Sequence, residues 1–121
     1  GGTSFRRYLE LARLLENRVA ALRDNDGNYQ QNCDERYADV LCSRSRVFAD
    51  HDNSRSTFEI CLYQDNADLC DALFRGTRRT LTVQDYMLAN KAEAAFRLLQ
   101  LHAGELTVPD YIQEALAWIR E

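Results

Sequence analysis

The chain has a single proline, Pro109, and five glycines among its 121 residues. That scarcity excludes a collagen-like or loop-dominated chain, which needs glycine and proline in quantity. Lysine is scarcer still: of 15 basic residues only Lys91 is lysine and the other 14 are arginine. Arginine forms bidentate pairs with carboxylates better than lysine does, so dense surface ion pairing is one expectation. A GC-rich coding sequence gives the same bias with no physical meaning. No run of about 18 apolar residues occurs, so a membrane-spanning helix is not expected. The start lacks a signal-like apolar stretch; Gly1–Gly2 reads as an added leader, which leaves a removed export signal open.

Positive charge is also short. Acidic residues number 19, and the net charge is −4. Binding nucleic acid through phosphates needs a surplus of Lys and Arg on one face. The local basic clusters Arg6–Arg7, Arg44/Arg46 and Arg75/Arg78/Arg79 are flanked by carboxylates, so neither nucleic acid nor a membrane is an expected partner. Only two histidines are present, His51 and His102. No G-x-S-x-G turn and no P-loop occurs.

What is present suits one globular core: 45% of residues are hydrophobic and 28% charged. A single domain over 1–121 is the default at this length. Phe5, Tyr8, Ala12, Leu15, Val19 and Leu22 recur at helical spacing and predict a helix over 5–23. The tract Asp24–Asn28 ends it. Tyr37, Val40, Leu41, Val47 and Phe48 share a second helical face, on which Arg44 is a blemish. Ser56 with Glu59 forms a capping box. Phe58, Cys61, Leu62, Leu69, Ala72 and Leu73 trace a third face, with a break at Asp65–Asn66.

The hexapeptide Leu-Thr-Val-x-Asp-Tyr occurs twice, from Leu81 and from Leu106. Thr82 and Thr107 fit as helix N-caps, Asp85 and Asp110 as the N3 partners, and Leu81/Tyr86 and Leu106/Tyr111 as hydrophobic staples. Pro109 falls in a first helical turn, where its missing N–H breaks no bond. The repeat therefore predicts helices over 82–101 and 107–121. The first would bury Leu88, Ala92, Ala95, Phe96 and Leu99. The second would bury Val108, Tyr111, Ile112, Ala115, Leu116 and Ile119. The expected fold is all-α, a bundle of about five helices joined by short polar loops.

Four constellations could carry chemistry. Asp24, Asp26 and Asn28 with Glu35 match positions 1, 3, 5 and 12 of an EF-hand loop. Position 6 should be glycine and is Tyr29. The competing reading is a polar interhelical turn. Cys33/Cys42 and Cys61/Cys70 are each nine positions apart, too far for zinc-ligand pairs. Nine helical residues span about 13.5 Å, and a disulfide needs Cα atoms within about 7 Å. Two bridges would therefore pair Cys33 with Cys70 and Cys42 with Cys61, although nine residues also put both thiols of one helix out of phase. The alternative is four buried thiols. Bridged cysteines imply an exported chain; thiols imply a cytoplasmic one. A catalytic meeting of Cys33 or Cys61 with His51 has no local signature to support it. Tyr111 and Trp118 form a second apolar stripe on the last helix, either core or anchors for a partner.

The function expected is a non-catalytic protein-binding module: an adaptor, an inhibitor or an immunity-type factor. It would act through an acidic surface and the apolar C-terminal helix, with no cofactor and another protein as partner. The alternative is a degenerate EF-hand-like domain that binds calcium through Asp24, Asp26, Asn28 and Glu35.

Overall fold

The computed structural model describes residues 2–14 and 17–121, with residues 2–4 described by backbone alone. The chain forms two compact units, Gly1–Ser56 with Asp110–Glu121, and Thr57–Pro109.

The first unit mixes helix and strand. Helix α1 spans Gly2–Ala12. Strands β1 (Val19–Leu22) and β2 (Ser45–Phe48) pair in parallel, with Val19 opposite Ser45 and Leu22 opposite Phe48. A crossover joins them, as parallel pairing requires, and it carries a π-helical turn at Gln30–Glu35. The terminal helix, Asp110–Arg120, here called α6, packs on both strands. One apolar cluster gathers Leu9, Tyr37 and Val40, with Phe5, Ala21 and Val47 against it. Arginines cover the aromatic rings. The guanidinium groups of Arg6, Arg23 and Arg36 lie 5.8, 5.6 and 5.7 Å from the Tyr37 ring centre, close enough for cation–π attraction.

This arrangement corrects the expected all-α bundle of about five helices. The helix predicted over 5–23 stops at Ala12, where Arg13 N–H and Leu14 N–H turn to carbonyls three residues back, the tightening common at helix ends. Val19 and Leu22 continue the helical spacing yet lie in β1; Leu15 falls outside the described residues. Val47 and Phe48 belong to β2, and Arg44, the blemish on the second predicted face, sits just ahead of that strand with its carbonyl accepting from Val19 N–H at 2.7 Å. A four-residue apolar run fits either period, so periodicity alone could not separate strand from helix.

The second unit is helical: α2 Phe58–Asp65, α3 Ala67–Phe74, α4 Val83–Ala89, α5 Lys91–His102 and a 3₁₀ turn at Ala103–Glu105. Its core joins Leu62, Cys70, Phe74, Val83, Met87, Ala94 and Leu98. Thr57, one residue after the predicted cap Ser56, starts α2 by accepting from Ile60 N–H at 3.3 Å. Thr82 starts α4 as the repeat predicts, its Oγ1 accepting from Asp85 N–H at 3.1 Å.

Two asparagines break the predicted helices. Asn90, between α4 and α5, donates its amide to the Tyr86 carbonyl at 3.0 Å. Asn66, between α2 and α3, is buried and donates to the carbonyls of Leu62 (3.0 Å) and Thr107 (2.8 Å). Its Oδ1 also accepts from Thr107 N–H at 2.6 Å. Both backbone polar groups of Thr107 are thereby fixed on Asn66. The second repeat therefore does not open a helix at its threonine; α6 begins three residues later, at Asp110.

Candidate functional site

Two polar loops of the first unit meet through one side chain. Asn25 is buried, and its Nδ2 donates to the carbonyls of Asp50 (2.9 Å), Asp52 (2.9 Å) and Arg55 (3.2 Å). Its Oδ1 accepts from Gly27 N–H at 2.8 Å. The Asn25–Asn28 turn closes with Asn28 N–H on the Asn25 carbonyl at 3.0 Å, and both central residues have positive φ: Asp26 at 52° and Gly27 at 90°. That pair of signs is what a type I′ turn requires, and Asp-Gly is a favoured sequence for it. Asp26 N–H then reaches the Ser56 carbonyl at 3.1 Å, and Tyr29 N–H reaches Asn53 Oδ1 at 2.8 Å.

The loops hold an ion pair and an aromatic stack. Asp50 and Arg55 meet at 2.8 Å, both largely shielded from solvent. The His51 ring stacks on Tyr29 with centres 4.0 Å apart and planes 25° apart. Asp52 accepts from the Ser54 hydroxyl and N–H, which hold its carboxyl below the usual range. Beside them lies a cleft of about 240 Å³ lined by Ala49, Asp50, His51, Asp110, Tyr111 and Glu114. Asp110 and Glu114 come from successive turns of α6 and share a side of it. Among the described residues, neither carboxylate has a side-chain hydrogen bond or ion pair. Three carboxylates against one guanidinium at Arg55 leave this wall negative, a setting that attracts cationic groups.

The EF-hand residues serve other ends. Asp26 faces Arg23 at 3.3 Å. Glu35 accepts from Gln30 Nε2 at 3.2 Å, and Asn28 Oδ1 accepts from Gln31 N–H at 3.1 Å. The Asp24 carbonyl accepts from the Cys33 thiol at 3.7 Å. Among the described residues no group of three His, Cys, Asp or Glu side chains is gathered as a metal would need. The loop closes around the Asn25 amide.

The cysteines are unbridged thiols, two in each unit. Burial raises Cys33, and burial raises Cys70 to about 11, with Asp71 adding to it. Cys42 is half-buried and lowered, first by the Ser45 hydroxyl, which donates to its sulfur at 3.6 Å, then by the Arg44 backbone N–H. His51 belongs to the first unit and Cys61 to the second. His102 lies 3.1 Å from Glu105, at the end of α5.

The Tyr111 and Trp118 stripe of α6 is core, as one of its two readings had it, whereas Leu116 and Ile119, expected inside, are exposed. Tyr111, Ala115 and Trp118 are buried, and the Trp118 ring lies 5.8 Å from Phe48 with Arg18 and Arg46 over it at 5.1 and 5.6 Å. Leu116 is 48% exposed and Ile119 38%. On α5 the expected stripe is the exposed one: Ala94 and Leu98 are buried while Phe96 is 63% exposed and Leu99 60%. Each of these helices carries two apolar stripes, and spacing cannot choose between them. On α6 the buried stripe has a central alanine, Ala115, which lets the helix approach its neighbours closely. Asn25 was not legible: an amide inside a polar run reads as solvated loop.

No family model matches the chain, and no curated protein or solved structure matches it.

Proposed function

We propose that the chain is a non-catalytic protein-binding module that engages its partner through the outward side of α6. The observation that carries this reading is the row Ile112, Leu116 and Ile119 on a helix already anchored by its other stripe, with Leu116 and Ile119 well exposed. Apolar rows left outside a folded core are characteristic of interaction surfaces. The opposite margin of the same exposed side carries Asp110 and Glu114, next to Asp50 in the negative cleft. A partner helix or strand with an apolar face and a basic edge complements this pattern. The apolar row supplies affinity, and the carboxylates supply orientation and rate of encounter.

The test is a comparison of variants in capture from the native source, followed by affinity measurement on whatever is retained. Leu116→Glu with Ile119→Glu is expected to preserve the fold and weaken the captured complex about 30-fold, roughly 2 kcal/mol for two interface anchors. Asp110→Asn with Glu114→Gln should slow association and flatten its salt dependence while changing dissociation little. Equal capture by wild type and the Leu116/Ile119 variant would remove the basis of the reading.

A further inference from the structure

In the second unit, three of the five basic residues (Arg75, Arg78, Arg79, against Lys91 and Arg97) fall within five positions, on the segment that leaves α3 and enters α4. Among the described residues, none of these three lies within ion-pair distance of a carboxylate, whereas Arg6, Arg18, Arg23 and Arg55 each do. The segment is held in a defined shape. Leu81 N–H closes a turn on the Arg78 carbonyl at 3.0 Å, and Arg78 Nη1 returns to the Leu81 carbonyl at 2.8 Å. Inside that turn Arg79 sits at φ 56°. Positive φ at the first central position of a turn is the place of Gly, Asn or Asp. An arginine there is strained, and such strain concentrates where a side chain is used.

The turn borders a cleft of about 370 Å³ lined by Asp71, Arg75, Arg78, Thr82 and Val83. Two arginines and a threonine therefore line one space. The Thr82 oxygen accepts from Asp85 N–H, so its own hydrogen remains to be donated. Asp71, the one acidic lining group, accepts the Tyr63 hydroxyl at 2.9 Å, which engages part of its carboxylate. Guanidinium forks with a hydroxyl match the several acceptor oxygens of a tetrahedral dianion better than the two of a carboxylate.

We propose that the Arg75–Thr82 segment binds a phosphate group, with Arg75 and Arg78 as its forks, Thr82 as a hydroxyl donor and Arg79, on the same strained turn, as a third cation. This site uses residues of the second unit and none of α6, so either proposal can fail without the other.

The experiment is an NMR titration of the full chain with inorganic phosphate, pyrophosphate and phenyl phosphate at fixed ionic strength. Saturable shifts confined to residues 75–83 are expected, lost at least tenfold in Arg75→Gln. Response to phenyl phosphate as well as to the free ions assigns an esterified ligand; response to the free ions alone assigns inorganic phosphate or pyrophosphate. Arg79→Gly is the decisive variant. Binding should weaken several-fold while the melting temperature stays level or rises, because glycine relieves the turn. The proposal is overturned by shifts that follow ionic strength alone, by equal binding of acetate or a glutamate-rich peptide, or by an Arg79→Gly protein that melts lower and binds as before.

Discussion

In the first unit the amide of Asn25 ties two polar loops, accepting from one backbone N–H and donating to three carbonyls. In the second, the amide of Asn66 ties a break between two helices to both backbone groups of Thr107. The two residues meet the same need, since a buried amide left unsatisfied costs free energy. Their surroundings differ. Asn66 bonds the carbonyl of Leu62, a member of the core that also holds Phe74, Met87 and Leu98. The unit around Asn25 adds arginines laid over Tyr37 and Trp118 to its apolar core. In each unit a buried amide with several partners fixes a geometry that apolar contacts, which have no direction, do not.

Removing the hubs should give the largest effects and separate the units. Asn25→Ala leaves three carbonyls and one N–H without their partner and is expected to destabilise by about 3 kcal/mol. Exchange of the 24–29 and 50–56 amides should rise first. Asn66→Ala should cost about 2–3 kcal/mol on the same grounds, with the Thr107 amide the first to exchange. Uniform acceleration over both units in either variant would show that the hubs are not local to their unit.

Next come the twin hexapeptides. Thr82→Ala removes a side-chain cap and should cost about 1 kcal/mol. Thr107→Ala removes only a side chain, because Asn66 holds its backbone, and should cost well under half of that. Equal losses measured by denaturant titration would restore the two threonines to one role.

The smallest effect concerns the thiols and leaves stability untouched. The Ser45 hydroxyl and the Arg44 N–H favour the Cys42 thiolate, while burial holds Cys70 near 11. Because the thiolate is the nucleophile, iodoacetamide near neutral pH should label Cys42 first and Cys70 only after unfolding. Matching native rates at the two sites, read by mass spectrometry, would contradict the burial assigned to Cys70.

Sequence reasoning succeeded where a local signal had a single structural meaning. Thr82 followed by Asp85 reads as a cap and forms one. It failed where two meanings shared one pattern. Val19–Leu22 continues a helical period and is a strand; Ser45–Phe48 buries its first and last residues, so it shows no alternation to reveal β2. On α5 and α6 each helix offered two apolar stripes, and tertiary packing, which spacing does not encode, chose between them. The second hexapeptide matched the first letter for letter at its core, yet Asn66, 41 positions upstream, reassigns Thr107. The negative cleft joins Asp50 and His51 to Asp110 and Glu114, a meeting that only the fold produces.

The central claim is that the first unit is built on a parallel β1–β2 ladder and not on a helix continued from α1. Amide-to-Hα contacts measured by NMR over Val19–Leu22 and Ser45–Phe48 test it most directly. The account predicts cross-strand contacts in the register Val19 with Ser45 and Leu22 with Phe48, and slowed exchange at Val19 and Arg23, whose N–H groups bond Arg44 and Phe48. Unbroken helical contacts from Phe5 to Leu22, with no contact between the two segments, would contradict it.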